Sequence, residues 1–372
     1  MEKLNKLAEY FKAIETTSEH KGYFCSVGEA LAIAILGTFC GLKNMKQIHQ
    51  WAKNARVSEF LNEKFGIKKI PCYYWLLSLL SLIDPKSLNE CFIKWVESLL
   101  PEGVKGCTVS FDGKTVRSTG KMANYKSPLH IVSAHIAELG LTFGQGAVCD
   151  KSNEIPAVRE LITILNLEGC MVVADALNCQ KETAKAIVAQ KADYLLNVKD
   201  NHEGLKEEIE TYVQDEDLRT EMDTAETIEK NRGRIERRIA YTTPNIGWIY
   251  NGDEWVNLSC IGAINRIVTT AERVTNEWHY FISSRNLAAK DLLRHARFEW
   301  SVETMHWMLD VHFGEDFCRV LNKDAQQNLN IIRKIVLNHL RQYKERSNNK
   351  HPFSNIMLDC LIDPANLIPI FA

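Results

Sequence analysis

Three acidic residues that lie far apart in the sequence stand where side chains could do chemistry. Asp112 follows the alternating run TVSF, Asp175 follows the apolar run MVVA, and Glu303 lies within HARFEWSVETMHWMLDVHFGED. Carboxylate oxygens are hard ligands, and a few of them typically hold Mg²⁺ together with phosphate oxygens of a substrate. Two such ions can activate a water or hydroxyl and stabilise the leaving oxygen of an in-line phosphoryl displacement. The three acids therefore indicate a divalent-metal site for phosphoryl transfer.

Each of the three acids also has a simpler interpretation. The pair Asp112-Gly113 is typical of a tight hairpin turn. Asp175 could serve only as the N-cap of the segment that follows it. Glu303 could form a structural salt bridge with an arginine, because a carboxylate on an apolar helix face needs a partner.

The third carboxylate has to be chosen among several acids in one segment. Steps of three and four residues join Trp300, Glu303 and Trp307 into one face of a single predicted helix. Tryptophans on that face would exclude water and strengthen the hold of a carboxylate on a metal ion. Glu299 and Asp310 lie near the same stripe but outside its most apolar stretch. We therefore predict that Glu303 is the third ligand.

Several cations are candidates for contacts with a phosphate backbone. Lys114 and Arg117 directly follow Asp112, where they could hold phosphate oxygens beside the metal. Lys199, in the run NVKDN, is predicted to have the same role. Arg234 belongs to the basic run GRIERR, which could follow phosphates or form an ordinary solvated face.

The spacing of apolar residues changes along the chain. Residues 1–100 show apolar residues at helical spacing, and the run PEGVKG then marks a boundary. Residues 101–345 begin with three short alternating segments and continue with alternating helices and strands, which predicts a mixed α/β sheet with helices packed on it. Residues 200–285 read as a β-rich insertion, and residues 346–372 as a C-terminal tail.

Composition sets limits on the class of protein. The formal net charge of the 372-residue chain is −2, which is mild evidence against a nucleic-acid binder, although local patches can still bind phosphates. Eleven cysteines without a C-x-x-C pair indicate free thiols in a reducing cytoplasm. The most apolar run, ALAIAILGTFC, is too short to span a bilayer, so no membrane partner is expected.

Several blocks of this sequence resemble one known family. DGKTVR, KSNEIPAV, DALNCQKETAKAI, ADYLLNVKDN, GRIERR and LDVHFGED are similar, in this order, to blocks of the ISAs-type insertion-sequence transposases, which include the H-repeat-associated proteins. The resemblance covers residues 20–345. It implies a ribonuclease-H-like catalytic core with a β-rich insertion, a DDE triad of Asp112, Asp175 and Glu303, and Mg²⁺ or Mn²⁺ as cofactor.

The resemblance also implies an activity and partners. Such proteins cut the ends of a DNA element and join the freed 3′-hydroxyl to target DNA, so double-stranded DNA is the expected partner. We expect a homodimer or higher oligomer on DNA, located in the cytoplasm with the nucleoid, and an N-terminal helical domain (1–100) that recognises DNA ends. The alternatives are a metal-dependent nuclease that cuts without joining and a DNA-binding protein that has lost catalysis.

Two departures from the family pattern accompany the resemblance. Glu299 stands where the family often has histidine, and Ser118 stands where it often has glycine. Glu299 places a second carboxylate one helical turn before Glu303, where it could perturb metal binding. Neither departure removes a member of the triad.

Overall fold

The chain is described by a computed structural model. The structure describes Ile14 and the ranges 25–100, 102–121, 128–148, 153–231 and 233–371. Most of the first 24 residues of the predicted N-terminal helical domain, and Arg232 immediately before the run GRIERR, lie outside the described residues.

Nine strands form one sheet. Their bounds are β1 Thr108–Val116, β2 Leu129–Ile136, β3 Leu141–Ala147, β4 Met171–Ala174, β5 Asp193–Val198, β6 Asp223–Asn231, β7 Arg234–Thr243, β8 Cys260–Thr269 and β9 Val274–Ser283. The strand order across the sheet is β3-β2-β1-β4-β5-β9-β8-β7-β6. Strands β1, β2 and β3 form the predicted antiparallel meander, whereas β4 and β5 run parallel to β1.

The predicted β-rich insertion is confirmed, and it extends the same sheet. Strand β9 pairs antiparallel with β5, and β8, β7 and β6 follow it outwards. The antiparallel pairing of β9 is a consequence of its entry from the far side of the insertion. The mixed α/β class is therefore confirmed, with the insertion strands as one half of the sheet.

Helices cover the sheet and form the N-terminal part of the described chain. Their bounds are α1 Val27–Phe39, α2 Met45–Ala52, α3 Ala55–Phe65, α4 Tyr73–Leu82, α5 Pro85–Ser98, α6 Ser118–Lys121, α7 Glu154–Ile164, α8 Lys181–Ala189, α9 Glu203–Gln214, α10 Glu216–Thr220, α11 Ala289–Glu299, α12 Ser301–Phe313, α13 Lys323–Ser347 and α14 Phe353–Ile362. Local signals explain several starts. Ser26 and Glu29 form a capping box before α1, and Asp84 caps α5, which has Pro85 at its first position.

Helix α13 joins the N-terminal helices to the sheet. It packs against α1, α4 and α5 on one side and against β3 on another. Leu31 of α1, Phe92 of α5 and Ile335 of α13 are fully buried in one hydrophobic cluster that continues under the sheet. The apolar faces of the N-terminal helices are thus completed by a helix from the other end of the chain.

The structure differs from two local interpretations of the sequence. Strand β1 does not turn at Asp112-Gly113 but runs on to Val116. The single helix predicted around Glu303 is broken at Trp300 into α11 and α12. The Ser301 hydroxyl donates to the Phe298 carbonyl at 2.6 Å, and such a bond competes with the helical ladder.

The segment 346–372 is not a loose tail within the described residues. It folds as α14 and a 3-10 segment at Pro364–Ile370. Phe371 is 2% exposed, and its ring lies edge-on to that of Phe39 with the centroids 5.0 Å apart. The C-terminus therefore completes the core around α1.

Candidate active site

Asp112 and Asp175 lie side by side on neighbouring parallel strands. The register pairs Phe111 with Ala174, so each aspartate is the next residue along its strand. Adjacent strands are about 5 Å apart, which brings the two backbones close at this edge. The predicted pairing of two acids from distant parts of the sequence follows directly from this register. Asp175 is also the N-cap of a 3-10 turn, because its carboxylate accepts from Asn178 N–H at 3.2 Å.

The two aspartates have shifted pKa values because they are partly buried and close to other acids. Burial raises the pKa of Asp112 to about 6, and the negative charges of Glu154, Asp175 and Glu303 add to the effect. Burial also raises the pKa of Asp175, although hydrogen bonds from Asn178 oppose the rise. Negative charge is thus concentrated where little water compensates it.

The surroundings of Glu303 differ from those predicted. Glu303 is exposed, and its neighbours Trp300 and Trp307 are 44% and 58% exposed, so no aromatic wall shields it. The predicted continuous helix is interrupted at Trp300, which separates α11 from α12. Glu303 is near enough to Asp112 to raise the pKa of that aspartate.

Glu299 lies at the end of α11, closer to the buried side of the site. Burial raises its pKa to about 7, and the charges of Asp175, Asp112 and Glu303 add to this rise while Lys199 opposes it. The structure therefore brings Glu299 and Glu303 near Asp112 from either side of the helix break, and Glu299 near Asp175 as well. Which of them acts as the third carboxylate stays a prediction.

His306 of α12 approaches Asp112 from within the protein. Its Nε2 is 3.6 Å from Asp112 Oδ2, and the residue is 8% exposed. Burial and nearby cations lower its pKa well below the usual value. Among the described residues neither ring nitrogen has a hydrogen-bond partner within normal reach.

Lys114 and Arg117, both predicted to hold phosphate, occupy different environments. Lys114 is turned inwards, where its Nζ is 2.6 Å from Asp310 and 2.7 Å from Glu315. Glu315 is 2% exposed, so its charge and that of Lys114 neutralise each other inside the protein. Arg117 is 82% exposed, with its Nε 3.6 Å from Asp316. Of these two cations, Arg117 alone has a side chain open to a backbone phosphate.

Lys199 and Arg234 both lie beside cavities between α11 and the insertion strands. Lys199 is exposed and lines a cavity of about 730 Å³ that also contains Glu299. Arg234 is 51% exposed and lines a neighbouring cavity, but its guanidinium is 3.5 Å from the buried carboxylate of Glu236. The other described arginines of that run are paired with acids as well, which favours the interpretation of a solvated face.

The cavity beside Lys199 has a cationic rim. Six cations line it, against three acids; the cations are Lys199, Arg238, Arg266, Lys290, Arg294 and Arg297. The exposed ring of Trp300 forms part of the wall, with the guanidinium carbons of Arg238 and Arg266 5.9 and 5.7 Å from its centroid. The cavity opens next to the acids, so it can accommodate a negatively charged ligand near them.

Glu154 and Asn178 lie beside the two aspartates, and the sequence did not single out either residue. Glu154, the first residue of α7, accepts a hydrogen bond from Asn178 Nδ2 at 3.0 Å. Asn178 donates from the same nitrogen to Asp175 at 2.9 Å. The only signals in the sequence were their places in the blocks KSNEIPAV and DALNCQKETAKAI, just after predicted strands.

The donor chemistry of this site suits a hard divalent cation. The charges of Glu154, Asp175 and Glu303 all interact with that of Asp112, and carboxylate oxygens are the ligands that such a cation prefers. The side chains of the described residues do not already form a group of three or more around one point. The fit therefore rests on the donor set and on the charge that a cation would neutralise.

Comparison with known proteins identifies the family. A family model described as "Transposase DDE domain" matches residues 104–339, and a second, described as "DDE_Tnp_1-associated", matches residues 8–96. This chain belongs to the DDE transposase family. The chain is 29% identical over 352 residues to the H repeat-associated putative transposase YhhI of Escherichia coli (strain K12), which covers 92% of each protein. It is likewise 29% identical over 357 residues to the putative transposase YncI of Escherichia coli O157:H7, with 92% of this chain and 89% of that protein covered.

Membership of the DDE transposase family confirms the ribonuclease-H-like core. The matched range of the transposase domain contains Asp112, Asp175 and Glu303 together with the whole nine-stranded sheet. The N-terminal helices fall in the range of the second family model. No helix in the described ranges is long and apolar enough to cross a lipid bilayer.

Proposed function

We propose that this protein is the transposase of an insertion sequence, and that it cuts the ends of the element and joins the freed 3′-hydroxyl to target DNA. The observation that carries the proposal is the pairing of Asp112 and Asp175 on parallel strands, with Glu303 brought within charge range by α12. Two-strand acid pairs of this kind suit phosphoryl transfer, because the reaction depends on positioning and on neutralising charge.

Asp112, Asp175 and Glu303 would hold Mg²⁺ or Mn²⁺. When bound, such an ion neutralises charge on the phosphoryl oxygens and activates the attacking oxygen. The protein contributes the fixed spacing of the two aspartates, which follows from strand pairing. His306 packs against Asp112 from the interior and limits the directions in which that carboxylate can turn.

The DNA backbone would lie along the cationic surfaces next to these acids. Arg117 and Lys199 are exposed cations. Arg117 follows β1, which carries Asp112, and Lys199 follows β5, the neighbour of β4. Arg234 lies further along the insertion. We assign Lys114 to the same group only as a predicted contact, since its charge is already paired. Residues 1–100 form the proposed DNA-end recognition domain, 101–345 the catalytic domain, and 346–372 a C-terminal segment.

A transposase must act on two element ends at once, so we propose a homodimer or higher oligomer assembled on DNA. A chromosomal substrate places the protein in the cytoplasm with the nucleoid. The alternative functions differ in the products that they form. A nuclease would release free ends without joined products, and a catalytically silent protein would only bind the ends.

The test is an assay of 3′-end cleavage and strand transfer on the DNA that flanks the gene, with Mn²⁺ or Mg²⁺. We expect Asp112→Asn and Asp175→Asn to reduce both activities to background while DNA binding is largely kept, because a neutral amide replaces an anionic metal ligand. Asp200→Asn is the matched control: Asp200 follows the next parallel strand, but it is exposed and paired with Lys206. Retained cleavage in Asp175→Asn would refute the assignment. Cleavage without joining in the unmodified protein would favour the nuclease.

A further inference from the structure

Glu154 is fixed in place by two side chains on either side of its carboxylate. Its Oε1 accepts the hydrogen bond from Asn178, and its Oε2 lies 3.2 Å from His130 Nε2. Its side chain is only 12% exposed. A glutamate whose only role was to place a negative charge in the first turn of the helix would need neither contact.

The backbone of β1 leaves space for this carboxylate directly beside Asp112. A Cβ atom added to Gly113 would overlap the Glu154 carboxylate and would crowd His130 as well. The glycine that resembles a hairpin residue in the sequence therefore leaves room for the Glu154 carboxylate, which a side chain at this position would displace. Of the acids that raise the pKa of Asp112, Glu154 has a larger effect than Asp175 or Glu303.

Asn178 links Glu154 to the second aspartate. Its amide nitrogen donates both to Glu154 and to Asp175, so the two carboxylates are held on the same side of the amide. The residue is fully buried, and its Oδ1 has no donor in the described ranges. Because Nδ2 is the atom that faces both carboxylates, Asn178 fixes the position of Glu154 relative to Asp175.

We propose that Glu154 is a fourth acidic ligand of the divalent cation, which it holds together with Asp112 and Asp175. Asn178 and His130 are the positioning residues that orient its carboxylate. The inference rests on the proposed function, because it concerns the same cation. The competing interpretation is purely structural: a negative charge in the first turn of α7 interacts favourably with the helix dipole and with His130.

The test measures binding of Mn²⁺ alone to the metal-free, full-length protein by titration calorimetry. We expect Glu154→Gln to weaken Mn²⁺ binding by about 10- to 100-fold. Glu160→Gln is the matched control, because Glu160 lies on the same helix with its side chain 63% exposed and paired with Lys86. Unchanged Mn²⁺ affinity in a folded Glu154→Gln variant would overturn the proposal.

A second variant separates the ligand role from the structural one and does not depend on the amide variant folding. Glu154→Asp keeps the negative charge in the first turn but withdraws the carboxylate by one methylene. A ligand role predicts weaker Mn²⁺ binding with thermal stability kept, whereas wild-type affinity would overturn the proposal. Asp112→Asn and Asp175→Asn provide the reference. If they lose Mn²⁺ binding and Glu154→Gln does not, this inference fails alone; if they bind Mn²⁺ normally, the proposed metal site fails, and the inference with it.

Discussion

At the scale of single residues, the choice of the third carboxylate depends on the break at Trp300. On a continuous helix Glu299 and Glu303 would share one stripe, but here they end one helix and begin the next. Glu303 is the exposed one, free to meet an incoming substrate, while Glu299 is held at the edge of the cationic cavity. The charges of both glutamates interact with that of Asp112.

The first prediction separates these two acids. We expect Glu303→Gln to abolish Mn²⁺-dependent cleavage, and Glu299→Gln and Asp310→Asn to keep most of it, since Asp310 is engaged by Lys114 at 2.6 Å. Cleavage is to be measured for each single variant on the same element-end DNA. The assignment fails if Glu303→Gln stays active while one of the other two is inactive.

The second prediction concerns the pH dependence of stability. Because the pKa of Glu299 is raised from 4.5 to about 7, the folded protein binds this proton more tightly than the unfolded chain. Its stability contribution is therefore most favourable below pH 4.5 and is lost as pH rises towards 7. Glu299→Gln removes the free-energy cost of holding a charged carboxylate at this buried position. We expect the variant to gain less than about 1 kcal/mol near pH ~5 and about 3 kcal/mol near pH ~8.

The measurement is urea unfolding of both proteins in metal-free buffer at the two pH values. Glu160→Gln is a suitable control, since its partner is a surface lysine and a surface pair contributes little. A gain that was equal at the lower and the higher pH would contradict a raised pKa as its cause.

At the scale of secondary-structure elements, Lys114 ties β1 to the helical layer. Its Nζ contacts Asp310 of α12 and Glu315 beyond the end of that helix, and Asn330 of α13 donates to the same Glu315. Removal of one partner from a buried ion pair leaves an uncompensated charge. The strand that carries Asp112 is thereby fixed to the helix that carries Glu303.

The third prediction compares the two cations that follow Asp112. Lys114→Met should lower the free energy of unfolding by about 3–5 kcal/mol, because Glu315 would lose its cation. Arg117→Ala should change it by no more than about 0.5 kcal/mol, and should reduce the salt slope of DNA binding by about one unit if this arginine contacts a phosphate. Chemical denaturation and DNA binding at several salt concentrations measure both effects.

The double variant Lys114→Met/Glu315→Gln provides the control. It should recover part of the stability that Lys114→Met loses, since the stranded charge is gone. A stable Lys114→Met variant with a reduced salt slope would instead support the phosphate contact that the sequence predicts.

At the scale of the whole molecule, the two ends of the chain share one core. Helix α13 packs against α1, α4 and α5, and Phe371, near the C-terminus, packs against Phe39 of α1. The N-terminal helices therefore depend on contacts made by residues at the opposite end of the sequence. Such an arrangement favours cooperative unfolding of both parts together.

The fourth prediction follows from this shared core. A fragment of residues 101–372 should lack a cooperative unfolding transition and should expose apolar surface to a hydrophobic dye, because one side of α13 would be uncovered. Circular dichroism, dye binding and urea unfolding of the fragment and the full chain test this. A fragment that folded cooperatively and still bound element ends specifically would refute both the shared core and the proposed role of residues 1–100.

The sequence by itself determined the strands that carry the two aspartates. The runs TVSF and MVVA are local patterns, and parallel strands bring their following residues to one edge of a sheet whatever the rest of the chain does. The sequence blocks shared with the family likewise predicted the ribonuclease-H-like core and the β-rich insertion. These features are encoded in short stretches and could be derived without knowledge of distant contacts.

The tertiary structure decided which other side chains complete the site. Periodicity could not reveal the break at Trp300, because the helical spacing of Trp300, Glu303 and Trp307 continues across it. Glu154 is distant from Asp112 in the sequence, and only the packing of α7 on β2 and β3 brings its side chain beside Gly113. The pairing of Lys114 could not be derived from the sequence for the same physical reason: Glu315 reaches this lysine only through the packing of α12 on β1.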